Sequence, residues 1–440
     1  MPDGSGAYIS GVWRMEEAEF NLIPLEQSLT EIIRRHEALR TTFPVVEGEV
    51  VQLIGQAKSI CLPVTDLSGL PERERESEMW RWTRSNARRA FDLATGPMIR
   101  ARVIKLDERS QVFQYSIHHI IADAWSVAII ERELRQLYEL YTNGVESPLE
   151  ELPLQCVEYA VWQREHLTKD ALQNHLEYWK RRLDGAPSLL KLPTDRPRPP
   201  FRTYRGAWRH LSLSARLTDR LSLLSAQENV TLFITMLAAF KALLYRYSGQ
   251  QDISIGSPVT FRARAEIEGV IGYFTNIVIL RTDLGDNPSF RRLVRRVREV
   301  AAGAYTHQDL PFGMLVDEIC VDKGLNYAPL AQVWFNFLDH SSTAAPESIP
   351  EDTVETESNT NQFDLSMVIN VYASGTDVAV GYNKDLFDPQ TIKSLLGHFE
   401  TIIKQVVINP DRRILDLSPL FDNESAHASD VARKAKSPTQ

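Results

Sequence analysis

Apolar positions along the chain change repeatedly between a spacing of three to four residues and strict alternation, so helices and strands are both expected. Leu25, Leu29, Ile32, Ile33 and Leu39 share one side of a helix predicted over 25–43, which Pro44 stops. From Pro97 the period falls to two, and MIRARVIKL and VFQYSIHHI read as neighbouring strands joined by the turn DERS. Directly afterwards Val127, Ile130, Leu134, Leu137 and Tyr141 recur at helical spacing, with Ser126 as the expected N-cap and Asn143-Gly144 as the stop. The string HHIIAD therefore sits on a strand-to-helix loop, where side chains are exposed at a sheet edge while the flanking elements hold them still.

A proline-rich run, LPTDRPRPPFRTYRG at 192–206, interrupts these patterns and is the expected boundary between lobes, because its prolines forbid regular structure and stiffen the link. Beyond it, 216–248 is helical in pattern, ISIGSPV and VIGYFTNIVILRTDL read as strands, and SFRRLVRRVREVAAGAY reads as a helix. The acidic, Ser/Thr/Pro-rich stretch 341–361 is expected to be a surface loop. After it QFDLSMVINVYASGTDVAVGYN is expected to form a hairpin turning at Ser374-Gly375-Thr376. The tail 422–440 has almost no large apolar residues and is expected to be disordered or a linker remnant. The fold class read from this is mixed α/β, with a first lobe at 1–191, the connector at 192–206 and a second lobe at 207–421.

Composition narrows the function. A chain of 440 residues suits two units with separate cores. Its formal charge of −9, with both signs interspersed, gives no general affinity for nucleic acid phosphates. The basic run from Arg291 to Arg298 reads as the wet face of a helix, with a binding patch as the alternative. No apolar run reaches the ~18 residues of a membrane span and the first ten residues lack signal-peptide character, so a cytoplasmic location is expected. Cys61, Cys156 and Cys320 are odd in number and far apart, which points to buried free thiols rather than disulfides or a thiolate metal site. The chain lacks GxSxG, GxxxxGK[ST], HExxH and GxGxxG, so covalent serine, nucleotide, zinc and dinucleotide chemistry are without their usual signals. A substrate would have to arrive already activated.

HHIIADAWS at 118–126 resembles the HHxxxDG signature of condensation domains from nonribosomal peptide synthetases. Further segments match that family in the same order: RHEALRTTF (35–43), YAVWQRE (159–165), SPVTFRARAEIEGVIGYFTNIVILR (257–281), HQDLPF (307–312) and QFDLSMV (362–368). The resemblance runs from about Tyr8 to Phe421. It departs from the pattern at Ala124 in place of the signature Gly, at DKGLNYAPL (322–330), at Phe274-Thr275-Asn276 where the family usually reads FVN, and at the family's opening helix motif, which is not found.

The resemblance implies two chloramphenicol-acetyltransferase-like lobes arranged as a V, with the active site between them where two tunnels meet. It implies no intrinsic cofactor, and substrates borne on the phosphopantetheine arms of upstream and downstream carrier protein domains. Forming an amide from a thioester requires an amine, whose pKa of about 7.7 to 8.0 leaves a proton to be removed as the bond forms. The resemblance makes His119 the catalytic group, accepting that proton or holding the amine and tetrahedral intermediate. His118 is read as structural, since adjacent residues at a strand end point oppositely. Asp123 is expected to form a buried ion pair with an arginine, Arg40 or Arg262. Backbone N–H groups near Ala124 are candidates for holding an oxyanion, Trp125 reads as packing, and Asn276 and Gln308 are tunnel candidates.

The reading is an amide-forming acyltransferase, with the wording of HHIIADAWS and IEGVIGYFTN closest to the branch that follows an L-configured or polyketide-derived donor. An ester-forming member is the nearest enzymatic rival; cyclisation and epimerisation fit the motif less well. The rival from another class is an inactive docking platform for carriers or tailoring enzymes, which Ala124 favours and the intact histidine pair opposes.

Overall fold

The computed structural model describes residues 8–15, 21–147, 149–262, 264–320, 326–341 and 361–417. They divide into two compact units, one made of 1–168 with 260–275 and the other of 169–259 with 276–440.

In the first unit β1 (Tyr8–Met15) precedes α1 (Leu22–Arg35). Four two-residue strands, β2 (Thr41–Thr42), β3 (Val45–Val46), β4 (Glu49–Val50) and β5 (Leu53–Ile54), pair as two small ribbons. They are followed by β6 (Val64–Asp66), α2 (Glu72–Arg88), β7 (Ile99–Lys105), β8 (Gln111–His118), α3 (Ala124–Thr142) and α4 (Cys156–His166). The sheet order is β1-β8-β7-β6, with β7 and β8 forming the antiparallel hairpin that alternation foretold. In the β1–β8 register Tyr8 faces His118. Leu25, Leu29 and Ile32 of α1 share a core with Ile130, Leu134 and Leu137 of α3 and with Phe113 and Ile117 of β8. That apolar layer fixes the end of β8 and the start of α3, the two elements flanking HHIIAD.

Two helix boundaries differ from expectation. α1 stops at Arg35 instead of continuing to 43, because His36 is extended (φ −109°, ψ 102°) with its ring buried against Glu133. Asp123, not Ser126, is the N-cap of α3, and its carboxylate accepts the Ser126 amide at 2.9 Å. A carboxylate there answers both an orphan donor and the positive end of the helix. Asn143 caps the other end and Gly144, at φ +68°, turns the chain away.

The second unit contains α5 (Lys169–Leu183), β9 (Gly206–Ser214), α6 (Ala215–Gln227), α7 (Leu232–Ser248) and β10 (Asp252–Thr260). After 260–275 it continues through β11 (Thr275–Asp283), α8 (Phe290–Thr306), α9 (Phe312–Ile319), β12 (Val333–His340), β13 (Leu365–Tyr372), β14 (Gly375–Asn383) and α10 (Pro389–Ile408). Its six-stranded sheet has the order β11-β10-β12-β13-β14-β9, parallel at β10–β12–β13 and antiparallel at β13–β14–β9. α7 is buried along most of its length, which is why 232–248 is apolar nearly all round. The helical pattern over 216–248 falls into α6 and α7, parted at 228–231, where Asn229 takes φ +54°. Tyr372 pairs with Gly375, so the hairpin turns at Ala373-Ser374, one residue earlier than expected.

The proline-rich segment is not where the units divide. Its backbone is tied into the second unit, with the Asp195 amide donating to Leu386 O at 2.9 Å and Arg198 paired to Asp364, while Trp179, Leu183 and Leu190 before it already belong to that unit's core. The expected strand at 270–284 begins only at Thr275, because 270–274 is held within the first unit. The basic helix α8 buries Leu293, Val294 and Val297, and its outer arginines meet carboxylates: Arg291 and Arg295 on Glu228, Arg292 and Arg296 on Asp286. Cys61 is exposed, contrary to expectation, because the next residue, Leu62, takes the core position; Cys156 and Cys320 are half-buried. The predicted tail and most of the acidic loop fall outside the described residues. Among the described residues no single helix is long and apolar enough to cross a membrane.

Candidate active site

β8 ends at His118, and the chain then turns through His119–Ala122 before Asp123 starts α3. His118 and His119 have different surroundings. The His118 ring packs edge-on to Tyr8 and Phe91, with centroids 5.4 and 5.8 Å away, and its Nδ1 accepts the Ile120 amide at 3.0 Å. Accepting that N–H requires a bare Nδ1, so the ring is neutral and protonated on Nε2. Burial, with the neighbouring His119, pulls the His118 pKa down and favours the same form. His119 sits on the turn, part-exposed, with its ring T-shaped to Tyr273 at 5.4 Å and 78°. Its Nδ1 is buried and has no hydrogen-bond partner among the described residues, leaving Nε2 as the nitrogen able to meet a substrate.

Asp123 is buried and both of its oxygens are engaged. Oδ1 accepts from the Ser126 amide at 2.9 Å, from Ser126 Oγ at 2.7 Å and from Arg262 Nη2 at 3.3 Å. Oδ2 accepts from the Phe274 amide at 3.1 Å and lies 3.5 Å from Thr275 Oγ1. Arg262 is equally withdrawn: Nη1 donates to Ile267 O and Val270 O at 2.7 Å each, and its guanidinium lies over the Phe274 ring at 4.3 Å. Burial lowers the Arg262 pKa, and the Asp123 charge opposes that shift. The pair is hydrogen-bonded on nearly every side, which is the condition under which buried charges are tolerated.

Ser126 contributes more than the sequence suggested. Its Oγ accepts from the Gly272 amide at 3.1 Å and from Arg262 Nη2 at 3.0 Å, so it joins the start of α3 to the 267–275 segment. Gly272 is required there, because a Cβ would come within 2.6 Å of Cys156 Sγ and of the Phe274 ring. Burial pushes the Cys156 thiol up to about 11, so it is protonated at neutral pH.

Of the two arginines proposed for Asp123, the structure brings Arg262 to it and not Arg40. Arg40 instead donates to Gly55 O at 2.6 Å and to Glu37 at 3.3 Å, since the 3₁₀ turn after His36 faces it toward the β2–β5 ribbon. Ala124 and Trp125 are exposed in the first turn of α3, and Trp125 Nε1 donates to Glu268 O at 2.9 Å. Asn276 belongs to the second unit and is a bracket: Nδ2 donates to Gln308 O (2.6 Å) and Leu310 O (2.7 Å) while Oδ1 accepts the Phe312 amide at 2.9 Å. Every polar group of that side chain holds backbone, so its tie to Gln308 is through the latter's carbonyl. Among the described residues no cluster of three or more His, Cys, Asp or Glu could hold a metal ion.

Sequence reasoning passed over Tyr273, and also over His36 and Glu133. His36 Nε2 lies 2.9 Å from Glu133 Oε2, and His36 Nδ1 accepts the Ile271 amide at 3.4 Å, so this buried pair links α1, α3 and the 267–275 segment. Burial alone would raise the Glu133 carboxyl, but His36 and Arg35 outweigh it and hold it low. The one available signal was the place of His36 within a matched motif; nothing local tied it to Glu133, 97 residues away.

A family model described as Condensation domain matches residues 1–427. Two proteins of the linear gramicidin synthase of Brevibacillus parabrevis match the chain, one 44% identical over 93% of it and the other 42% identical over 97%. The phosphinothricin tripeptide synthetase PhsC of Streptomyces viridochromogenes is 36% identical over 92%. The chain spans only 8% of the length of each of those two gramicidin synthase proteins and 38% of PhsC. Among solved structures, the X-domain in complex with OxyB from teicoplanin biosynthesis matches with a TM-score of 0.83 and 27% identity, covering 95% of this chain and 92% of that one. SgcC5 from Streptomyces globisporus matches at 0.76 and 27%, over 92% of this chain and 94% of its own. The first condensation domain of the calcium-dependent antibiotic synthetase shares the fold at 0.75 and 18% identity, covering 96% and 95%.

Proposed function

The chain belongs to the condensation-domain family, and from that premise we propose that it forms an amide between a donor acyl or peptidyl thioester and the amine of an acceptor aminoacyl thioester, both delivered by carrier proteins of a synthetase. The acceptor nitrogen attacks the thioester carbonyl, the C–N bond forms, the C–S bond breaks, and the sulfur leaves as a thiol once it receives the proton the amine gives up. His119 Nε2 takes that proton or holds the amine and the tetrahedral intermediate in place. His118 keeps the turn in shape from a neutral, hydrogen-bonded ring. Asp123 and Arg262 hold the loop from beneath and do not touch the reacting atoms. Amide N–H groups at the first turn of α3, beside Ala124, would favour negative charge through the helix dipole. The domain would do this work in the cytoplasm.

The observation that carries this reading is the contrast inside the motif: a neutral His118 tied to backbone, and beside it a part-exposed His119 with one nitrogen left to act. Single-turnover assays with loaded donor and acceptor carrier proteins, read as the intact mass of the product-bound carrier, test it. Product from the wild type that is lost in His119→Ala supports catalysis by His119.

A second reading is favoured by the likeness to the X-domain solved with OxyB, together with Ala124 at the signature's glycine: a docking platform for carrier proteins or a tailoring enzyme. A correctly folded wild type that yields no product across varied substrates selects it.

A further inference from the structure

We propose that Tyr273 is the positioning residue for the His119 imidazole, doing by edge-on aromatic packing what a carboxylate does for histidine in a catalytic triad; the inference rests on the reading of His119 as the catalytic group. An imidazole on a turn can be aimed in two ways, by a hydrogen bond at the nitrogen away from the substrate or by packing against its ring. The first is missing here. His119 Nδ1 is buried with no partner among the described residues, and Asp123, the carboxylate of the motif, has its oxygens on Ser126, Arg262, the Phe274 amide and Thr275. Packing remains, and Tyr273 supplies it: the rings are T-shaped with centroids 5.4 Å apart.

Tyr273 can serve as a fixed wall because its neighbours on both sides are tied down. The Gly272 amide donates to Ser126 Oγ at 3.1 Å, and the Phe274 amide donates to Asp123 Oδ2 at 3.1 Å. A side chain at Gly272 would collide with Cys156 and Phe274, so the backbone there sits as close to the core as it can. The Asp123 cluster therefore fixes the Tyr273 backbone, and Tyr273 fixes His119. Asp123 acts on His119 at one remove.

The test uses the full chain with ¹³C-labelled histidine, the His119 ring signal being assigned from its loss in His119→Asn. The variants are Tyr273→Leu, which keeps bulk and removes the ring, and Tyr273→Phe, which keeps the ring and removes the hydroxyl. In Tyr273→Leu the His119 ring signal is expected to move more than that of any other histidine, and the single-turnover rate to fall about 2- to 12-fold, the range an aromatic pair corresponds to. Tyr273→Phe restores both, with unfolding midpoints unchanged throughout. An unmoved His119 signal in Tyr273→Leu overturns the proposal whatever the turnover, and so does a moved signal with an unaltered rate. If the wild type makes no product with any carrier pair, the condensation reading fails, while the spectra still decide whether Tyr273 holds the ring. Should Tyr273→Leu lose its cooperative unfolding transition, Tyr273→Ala takes its place, with the same outcomes.

Discussion

Asp123 Oδ1 lies 3.3 Å from Arg262 Nη2, with both side chains almost wholly withdrawn from solvent although the residues stand 139 positions apart in the sequence. The pair closes the 260–275 segment onto the first turn of α3. Removing one partner leaves the other charge buried without its counter-ion, so Arg262→Ala and Asp123→Ala are each expected to lose ~3 to 5 kcal/mol of stability by chemical denaturation. The double substitution Asp123→Asn with Arg262→Gln should recover part of that loss. Asp123→Asn should also retain more turnover per folded molecule than His119→Ala. Full stability with abolished turnover in Asp123→Asn would instead put Asp123 in direct contact with the chemistry.

Much of this site is legible from the motif itself, since HHIIAD falls between an alternating strand and a helical period, which places His119 on a loop. The identity of the arginine is not. Arg40 and Arg262 stand in equally good motifs, and only the fold shows Arg40 drawn to Gly55 and Glu37. Ser126 is a reasonable N-cap from sequence because hydroxyl capping is a local rule, one that Asp123 satisfies equally well. The choice is made by Arg262 and the Phe274 amide, which need a carboxylate at 123. The proline run reads as a boundary because prolines break regular structure; they do, but Arg198 on Asp364 and Asp195 on the Leu386 carbonyl bind the segment to one unit. Tyr273 and His36 stay hidden for the same reason: their meaning lies in partners far away in sequence.

Gly272 is the tightest point of the loop that carries Tyr273. In Gly272→Ala the new Cβ would lie 2.6 Å from both Cys156 Sγ and the Phe274 ring, so the variant is expected to lose ~1 to 3 kcal/mol of stability, as overpacked cores do. Cys156→Ala removes one of the two collisions. A double-mutant cycle should therefore show favourable coupling between the two substitutions, of about 0.5 to 3 kcal/mol. Strict additivity would mean the backbone moves away from Cys156 without cost.

Asn276 holds three backbone groups of the HQDLPF segment from inside the second unit. Asn276→Ala strands those groups and should lower stability by ~1 to 3 kcal/mol, the cost of leaving buried polar groups unmatched. Asn276→Asp keeps the acceptor for Phe312 but sets an oxygen against the carbonyls of Gln308 and Leu310. Its deficit should therefore shrink as pH falls and the carboxyl regains a donor, which urea midpoints at pH 5 and pH 8 will read. A deficit independent of pH would mean that the segment re-arranges around the aspartate.

Lys241 on α7 is fully buried, its Nζ donating to Ile253 O at 3.2 Å and to Leu280 O at 2.6 Å. Burial, reinforced by the charge of Arg182 and opposed by Asp252, lowers its pKa from 10.5 to about 7. Above about 7 the folded lysine is neutral, while in the unfolded chain it stays protonated up to about 10.4. Between those values the unfolded state binds the extra proton, so stability should rise with pH across this window, by at most about 1.4 kcal/mol per pH unit, and lose that gain as pH falls through about 7. Lys241→Met removes the group and with it this part of the slope, while the tyrosines and cysteines titrate alike in both proteins. Urea midpoints at pH 7.5, 8.5 and 9.5 should diverge between wild type and Lys241→Met; parallel lines would mean that the buried amine keeps its proton, held by the two strand carbonyls as a cation.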